Sequence, residues 1–279
     1  MNRGIFIQAD DKQLLGAKVA KYAIETRGRA RENNIPVTIM HVEDMPDYMV
    51  HVGMKYKRGN ETRTHDPKDL QFFTLSRFMP PELMGYTGRA LVIDPDIFAL
   101  GDVTELFNLD LGDAHLAACR ERSWFDSSVM LLENTKLKHW NIRRILEGLK
   151  NGTENYRAWM RLHNEPVLEI GRDWNSLDHL DKSTKMLHTT NRLTQPWKTG
   201  LPIDFTFGSV PKLFGIIPRF WVQQPRTYQQ HPDSAIEQIF LELLRGAIKD
   251  GAVTYDELDA AVAASEMRPD IRTVLTTRG

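Results

Sequence analysis

The chain opens on an apolar run, Ile5-Phe6-Ile7, that ends at Gln8-Ala9-Asp10-Asp11. Behind it, Leu15, Val19, Tyr22 and Ala23 recur at i, i+4, i+7 and i+8, along one face of a helix. Pro36 then opens a second apolar run, Val37 to Met40. Strand, helix and strand in this span predict a βαβ unit with parallel neighbours and a right-handed crossover. From Asp44 to Asp69 the pattern becomes polar and irregular, with Gly53, Gly59 and Pro67. A loop of that length is uncommon unless functional or mobile, so it reads as a flexible flap. Leu70 to Met84 regains helical character. Leu91-Val92-Ile93, bounded by turn residues, reads as a buried strand. Pro95 cannot donate to a sheet ladder, so the strand stops beside Asp94 and Asp96.

Thr104 to Phe107 predict a short helix, and Leu116–Cys119 and Ser128–Leu132 two further strands. Ile142, Ile145, Leu146 and Leu149 give another amphipathic helix, ended by Asn151-Gly152. Residues 153–185 mix short helices with loops. The stretch from Thr199 to Asp233, rich in Pro, Gly and aromatics, reads as an ordered connector without regular structure. Ala235, Ile236, Ile239, Phe240, Leu243, Leu244 and Ala247 then mark a strong helix ending near Gly251, and Thr254-Tyr-Asp-Glu257 is a capping box that starts another. The expected organisation is an α/β domain over 1–200 and a connector with a helical appendage over 201–279. Internal repeats, low-complexity tracts and heptads are absent.

At 279 residues, 41% hydrophobic and 26% charged, the chain is a globular protein of one large domain or one plus an appendage. Its 36 basic residues balance 37 acidic ones, so it has no general attraction to nucleic acid or anionic lipid. Cys119 is the single cysteine. No internal disulfide can form, and the residue reads as a small buried apolar group rather than a nucleophile. The apolar stretch at the amino terminus is too short for a signal peptide, and no run approaches the roughly 20 apolar residues of a membrane span. The expected location is cytoplasmic, with a peripheral membrane role left open because acceptors can be lipid-linked.

Four pieces carry candidate chemistry. Asp94-Pro95-Asp96 taken alone reads more often as a polar turn. At the end of a buried strand, however, two carboxylates must meet water or a cation, and ligands of open α/β sheets bind at such strand ends. A hard divalent cation shared with a diphosphate suits them. Asp10 and Asp11 either accept a hydrogen bond from a base or ribose or cap the following helix. His188 is either a satisfied core histidine or a third ligand. Asp, Asp and His together suit Mn²⁺ better than Mg²⁺, because the softer ion better accepts nitrogen. Arg192 and Lys198, around Thr194-Gln-Pro-Trp197, either neutralise a leaving diphosphate or belong to a solvated loop. The sequence lacks G-x-S-x-G, a Walker A loop, H-E-x-x-H and a G-x-G-x-x-G after a strand, which argues against hydrolase, phosphate-loop and dinucleotide readings.

These residues together resemble the glycosyltransferase family 8-like proteins, in particular a bacterial subgroup. The resemblance covers about residues 4 to 198. It rests on Ala9-Asp10-Asp11, Ser76-Arg77-Phe78, Pro81-Glu82-Leu83, Gly85-Tyr86-Thr87-Gly88-Arg89-Ala90, Ile93-Asp94-Pro95-Asp96, Phe125-Asp126-Ser127-Ser128-Val129, Trp174-Asn175-Ser176-Leu177 and His188…Gln195-Pro196-Trp197. It implies an α/β, GT-A type fold with a mostly parallel central sheet. It also implies a transferase that uses a UDP-sugar and Mn²⁺ (or Mg²⁺) with retention at the anomeric carbon. Carried over by position, Asp94, Asp96 and His188 hold the metal, and Asp10, in the turn with Ala9 and Asp11, touches the nucleotide. Arg77 contacts the donor.

The chain also departs from the family pattern. Pro95 replaces a small residue. Gln195 stands where a diphosphate-binding Lys is usual, so that cation comes from Arg192 or Lys198 or is absent. Asp126 occupies an Asn position, where it would orient a sugar hydroxyl. No Asp-Gln acceptor motif falls near 153–160, so the acceptor (glycan, lipid or protein) stays open. Three rivals remain: a non-catalytic nucleotide-sugar binding module, a nucleotidyltransferase, and an interaction protein with an exposed Ile236–Ala247 face. The nucleotidyltransferase would want a Gly-rich basic first loop where this one is acidic.

Overall fold

The computed structural model describes residues 2–205, 212–213, 217–218 and 224–277. β1 (Arg3–Ala9), α1 (Leu14–Thr26) and β2 (Val37–His41) form the βαβ unit, with β1 and β2 parallel and Ile5 opposite Val37. A helical turn α2 (Pro46–Met49) and an antiparallel hairpin, β3 (Lys55–Arg58) and β4 (Glu61–Thr64), come next. The stretch read as an irregular flap is therefore largely built structure. Tyr48, Met54 and Tyr56 are buried in it, and Tyr48 meets Phe72 edge to face at 5.4 Å. Three apolar anchors spread among polar residues have no period to reveal them, yet they suffice to seat the hairpin.

A 3-10 stretch, Phe72–Phe78, leads to α3 (Pro80–Leu83), β5 (Arg89–Ile93), β6 (Ile97–Ala99) and α4 (Thr104–Phe107). β7 (Leu116–Glu121) and β8 (Trp124–Glu133) form a hairpin. α5 (Ile142–Asn151) follows and ends at Gly152, whose φ of +78° is the left-handed conformation that glycine adopts without strain. Next are α6 (Tyr156–Met160), β9 (Val167–Ile170), β10 (Ser176–Leu177) and β11 (Met186–His188).

The main sheet runs β2-β1-β5-β8-β7-β9. β1 is parallel to β2 and β5, β9 is parallel to β7, and β8 is antiparallel to both its neighbours, so the sheet is mostly parallel. β9 falls in the segment read as helices and loops. Only four residues long, it is fixed by pairing with the distant β7 and leaves no local pattern of its own. A smaller sheet, β10-β11-β6, sets His188 opposite Ile97.

Both faces of the main sheet are covered. On one, Ile5, Ile7, Leu91 and Ile93 pack with α1 and with α7 (Ser234–Lys249). On the other, Val92, Met130 and Leu132 pack with Phe78, Trp140 and Leu146. Ile236, Phe240, Leu243 and Leu244 of α7 are buried, each worth roughly 1.5–3 kcal/mol. Phe240 sits 5.3 Å from the ring of Trp197. The exposed face required by the interaction-protein reading is thus covered. Gly246 lets the two helices meet, since a Cβ there would lie 2.6 Å from the Tyr22 hydroxyl.

α8 (Tyr255–Ala263) carries the expected capping box, with Thr254 Oγ1 accepting from Glu257 N at 3.2 Å, and α9 (Ile271–Thr276) closes the described chain. The connector expected over 199–233 lies partly outside the described residues. Its described parts hold only a Pro202–Thr227 bridge and a two-residue pairing of 212–213 with 217–218. Among the described residues no helix is long and apolar enough to cross a membrane.

Candidate active site

The fully buried Leu91, Val92 and Ile93 carry Asp94 out at the carboxyl end of β5. Its backbone N–H donates to Ser128 O at 3.1 Å, so the pairing with β8 fixes where the carboxylate emerges. After the Pro95 turn, β6 enters the small sheet, and Thr189 N donates to Asp96 O at 3.1 Å. That bond brings the end of β11 against the second aspartate. The ligand atoms of Asp94, Asp96 and His188 all lie within 4.8 Å of one another. His188 Nε2 is 3.3 Å from Asp96 Oδ1.

The other imidazole nitrogen, Nδ1, is 2.8 Å from Asn175 Oδ1, while Asn175 Nδ2 donates to Ser128 Oγ at 3.0 Å. With its amide oriented by Ser128, Asn175 offers His188 an acceptor. The network therefore assigns one proton to Nδ1 and turns Nε2 toward the carboxylates, as a donor to Asp96 while the ring is protonated and as a lone pair once that proton leaves. Asp94 Oδ1 accepts from Arg77 at 2.9 Å and from Gln8 Nε2. Arg77, itself buried, also donates to Ser127 Oγ at 2.6 Å and to Thr74 O at 2.8 Å, which locks its guanidinium.

Burial pushes the Asp94 carboxyl up to about 6 against the pull of Arg77. Burial works to lower His188, but the facing carboxylates of Asp96, Asp94 and Asp126 outweigh it and hold the imidazole at about 9. The two shifts differ in cause: burial leads at Asp94, with Asp96 adding to it, and at His188 the facing carboxylates overcome burial. Two carboxylates and an imidazole nitrogen converging here fit a divalent cation, which would take the place of the Nε2 proton. The mixed oxygen and nitrogen set suits Mn²⁺ better than Mg²⁺.

Arg77, Asp94, Asp96, Asp126 and His188 border one cavity of about 310 Å³, and Arg192 and Lys198 border it too. Arg192 is exposed, whereas Lys198 is buried with Nζ 3.1 Å from Asp204 Oδ2. Ala9, Asp10 and Asp11 do not border it; of the turn after β1, Gln13 does. Ala9 is buried within β1. Asp10 takes the cap, its Oδ1 accepting from Gln13 N at 3.0 Å. Its Oδ2 is buried without a hydrogen-bond partner among the described residues. Burial, then Glu43, raises this carboxyl to about 7. Asp11 is exposed, 2.8 Å from His41 Nε2.

Several site residues escaped the sequence reading. Asn175 and Gln8 stand in the segments quoted above, but a neutral amide carries no pattern that marks it as a positioning group. Ser128 N and Oγ hold Asp126 Oδ1 at 2.8 and 2.7 Å. Tyr228, which also borders the cavity, donates to Asp204 and comes from the stretch read as a connector. Cys119 is buried, and burial pushes its thiol up to about 12, so it is no nucleophile.

A doubly covered α/β sheet with an acidic, cation-seeking cavity at its strand ends is the arrangement of GT-A nucleotide-sugar transferases. Residues 7–191, more than half of the chain, match the family model for glycosyl transferase family 8, and the chain belongs to that family. It is similar to the glycosyltransferase GlyE of Streptococcus pneumoniae serotype 4, being 33% identical over 105 residues, which span 36% of this chain and 25% of GlyE. The crystal structure of GlyE superposes with a TM-score of 0.50 at 15% identity, covering 96% of this chain and 64% of that one, a likeness of fold. The galactosyltransferase LgtC, solved with donor and acceptor sugar analogues, gives 0.48 at 15% identity over 70% of this chain and 89% of its own.

Proposed function

We propose that the protein transfers a hexose from a UDP-sugar to an acceptor hydroxyl, with retention at the anomeric carbon and with Mn²⁺ held by Asp94, Asp96 and His188. The observation that carries this reading is the convergence of those ligand atoms within 4.8 Å, with Asn175 turning the imidazole Nε2 inward. The ion, when bound, offsets charge on the departing diphosphate as a Lewis acid.

In this reading Arg77, immobilised by three hydrogen bonds, orients the donor sugar beside Asp94. Lys198 supplies the diphosphate with the cation that Gln195 cannot. Its ion pair with Asp204 holds the ammonium in place, and Arg192 adds an exposed charge at the same cavity. Asp10 acts on the nucleotide end of the cavity through Gln13, which borders it and whose N–H the Asp10 carboxylate holds, with Ala9 and Asp11 shaping that turn. Asp126, fixed by Ser128, orients a sugar hydroxyl. The donor machinery falls within 1–200, and 201–279 adds Tyr228 and the helices that pack on α1.

The test is UDP-sugar turnover with Mn²⁺ in the wild type, Asp94→Ala and Asp96→Ala. Each substitution is expected to cost about 10²–10³-fold. Equal turnover in all three rejects the metal role. UDP-dependent thermal stabilisation without product would identify a binding module instead.

A further inference from the structure

Next to the donor cavity lies a second one, of about 250 Å³. Asp126 borders both. Asn175 lines the second while its amide holds His188 and Ser128, which border the first, so a single side chain separates the two there. The recorded bonds to the Asp126 carboxylate, from Ser128 N and Oγ, both fall on Oδ1. An acceptor in the second cavity would thus meet a fixed carboxylate at the boundary it shares with the donor cavity.

The lining indicates what enters. Leu177 is 37% exposed there, an aliphatic platform in an otherwise polar rim. Arg172 is weakly held, its side chain 71% exposed with Nη2 3.5 Å from Glu121 Oε2. Arg120 is engaged by Glu169 at 2.6 Å and lies 4.3 Å over the Phe125 ring. The lining carries two guanidiniums, Arg120 and Arg172, and two carboxylates, Glu121 and Asp126, so the formal charges balance and an anion gains no advantage. Donors, acceptors and one aliphatic face are what a pyranose asks for, since its hydroxyls do both and its C–H face is apolar.

We propose that this second cavity is the acceptor site and that its ligand is an uncharged saccharide end. The inference rests on the transfer reading above. Asp126 accepts the hydrogen bond that orients the acceptor hydroxyl. The acceptor oxygen bonds to the anomeric carbon, and the anomeric C–O bond to the diphosphate breaks with its electron pair on the diphosphate. The hydroxyl proton leaves on a diphosphate oxygen. Asp126 touches substrate on both sides, while Leu177 and Arg172 act on the acceptor alone.

The experiment uses the full chain with UDP and Mn²⁺ and four probes: methyl glycosides of glucose, galactose, mannose and N-acetylglucosamine. Saturation-transfer NMR reads binding, and glycoside-stimulated UDP release from the matching donor reads transfer. At least one glycoside should bind and stimulate. Leu177→Glu and Arg172→Ala, both at exposed positions, should raise its KM at least about tenfold with a smaller change in kcat. The UDP-induced thermal shift of both variants should match the wild type.

A panel in which no glycoside binds or stimulates overturns the saccharide assignment. A glycoside that serves the wild type and both variants alike places the acceptor elsewhere. A 6-phosphorylated glycoside that outcompetes its neutral parent overturns the uncharged class. A wild type with no UDP-induced shift instead sinks the transfer reading itself, and this assignment with it.

Discussion

Among the described residues, two places bring one imidazole and two carboxylates within 4.8 Å of one another: Asp94, Asp96 and His188 at the mouth of the sheet, and Asp11, His41 and Glu43 at its edge. In the first, His188 is 6% exposed and spends one nitrogen on Asn175, a neutral acceptor. The other nitrogen is left to face the carboxylates. In the second, both nitrogens of His41 are taken by carboxylates, Nδ1 by Asp44 at 3.0 Å and Nε2 by Asp11 at 2.8 Å, and the Asp11 side chain is 72% exposed. Burial opposes a raised pKa at His41, and the bonds to Asp44 and Asp11 overcome it. In this edge cluster water screens Asp11 and Asp44, the two carboxylates that hold the ring, while Glu43 is half-buried beside them. The lesson is that a set of donor atoms does not make a metal centre. What separates the proposed centre from the edge cluster is a buried neutral group that fixes the ring and the burial of the imidazole.

The comparison breaks most visibly through metal affinity. Asp96→Ala should weaken Mn²⁺ binding, read by electron paramagnetic resonance titration, by at least about 100-fold, whereas His41→Ala should leave it within about twofold. The reverse order would transfer the metal centre to the sheet edge.

Asn175→Ala should cost about 10–100-fold in Mn²⁺ affinity, because the imidazole loses the acceptor that holds its tautomer and orientation. An unchanged affinity would mean that packing alone orients the ring. Asp10 joins the two regions, since its carboxyl is raised to about 7 by burial and then by Glu43 of the edge cluster. A folded pKa above the unfolded value of about 3.9 means that the native state binds the proton more tightly. The stabilisation is complete below about pH 4 and drains away as pH rises toward 7. Asp10→Asn keeps a cap and cannot ionise. It should therefore be at least about 1 kcal/mol more stable than the wild type at pH 8, a gain that vanishes near pH 4 in urea titrations. A gain independent of pH would refute burial of a charge as its cause. The smallest expected effect is on stability at the edge: His41→Ala should change it by no more than about 0.5 kcal/mol.

Local pattern was enough for much of this architecture. The β1-α1-β2 unit, the buried run of β5, the glycine stop of α5, the amphipathic α7 and the capping box of α8 are each written within one turn or one period of sequence. They need only short-range sterics, hydrogen bonding and the sorting of apolar side chains. The placement of Asp94 and Asp96 at a strand's end is local in the same way.

What joined those aspartates to His188 was not local. Thr189 meets Asp96 across 93 positions of chain because β11 pairs with β6, and the register of distant strands is set by what packs around them. The same holds for β9, for the anchored hairpin of β3 and β4, for the amides of Gln8 and Asn175, and for Tyr228 at the cavity. A neutral side chain acquires a role only from the atoms the fold brings to it, so the proposed ligands could be read along the chain, and the shell that gathers them was decided by tertiary packing.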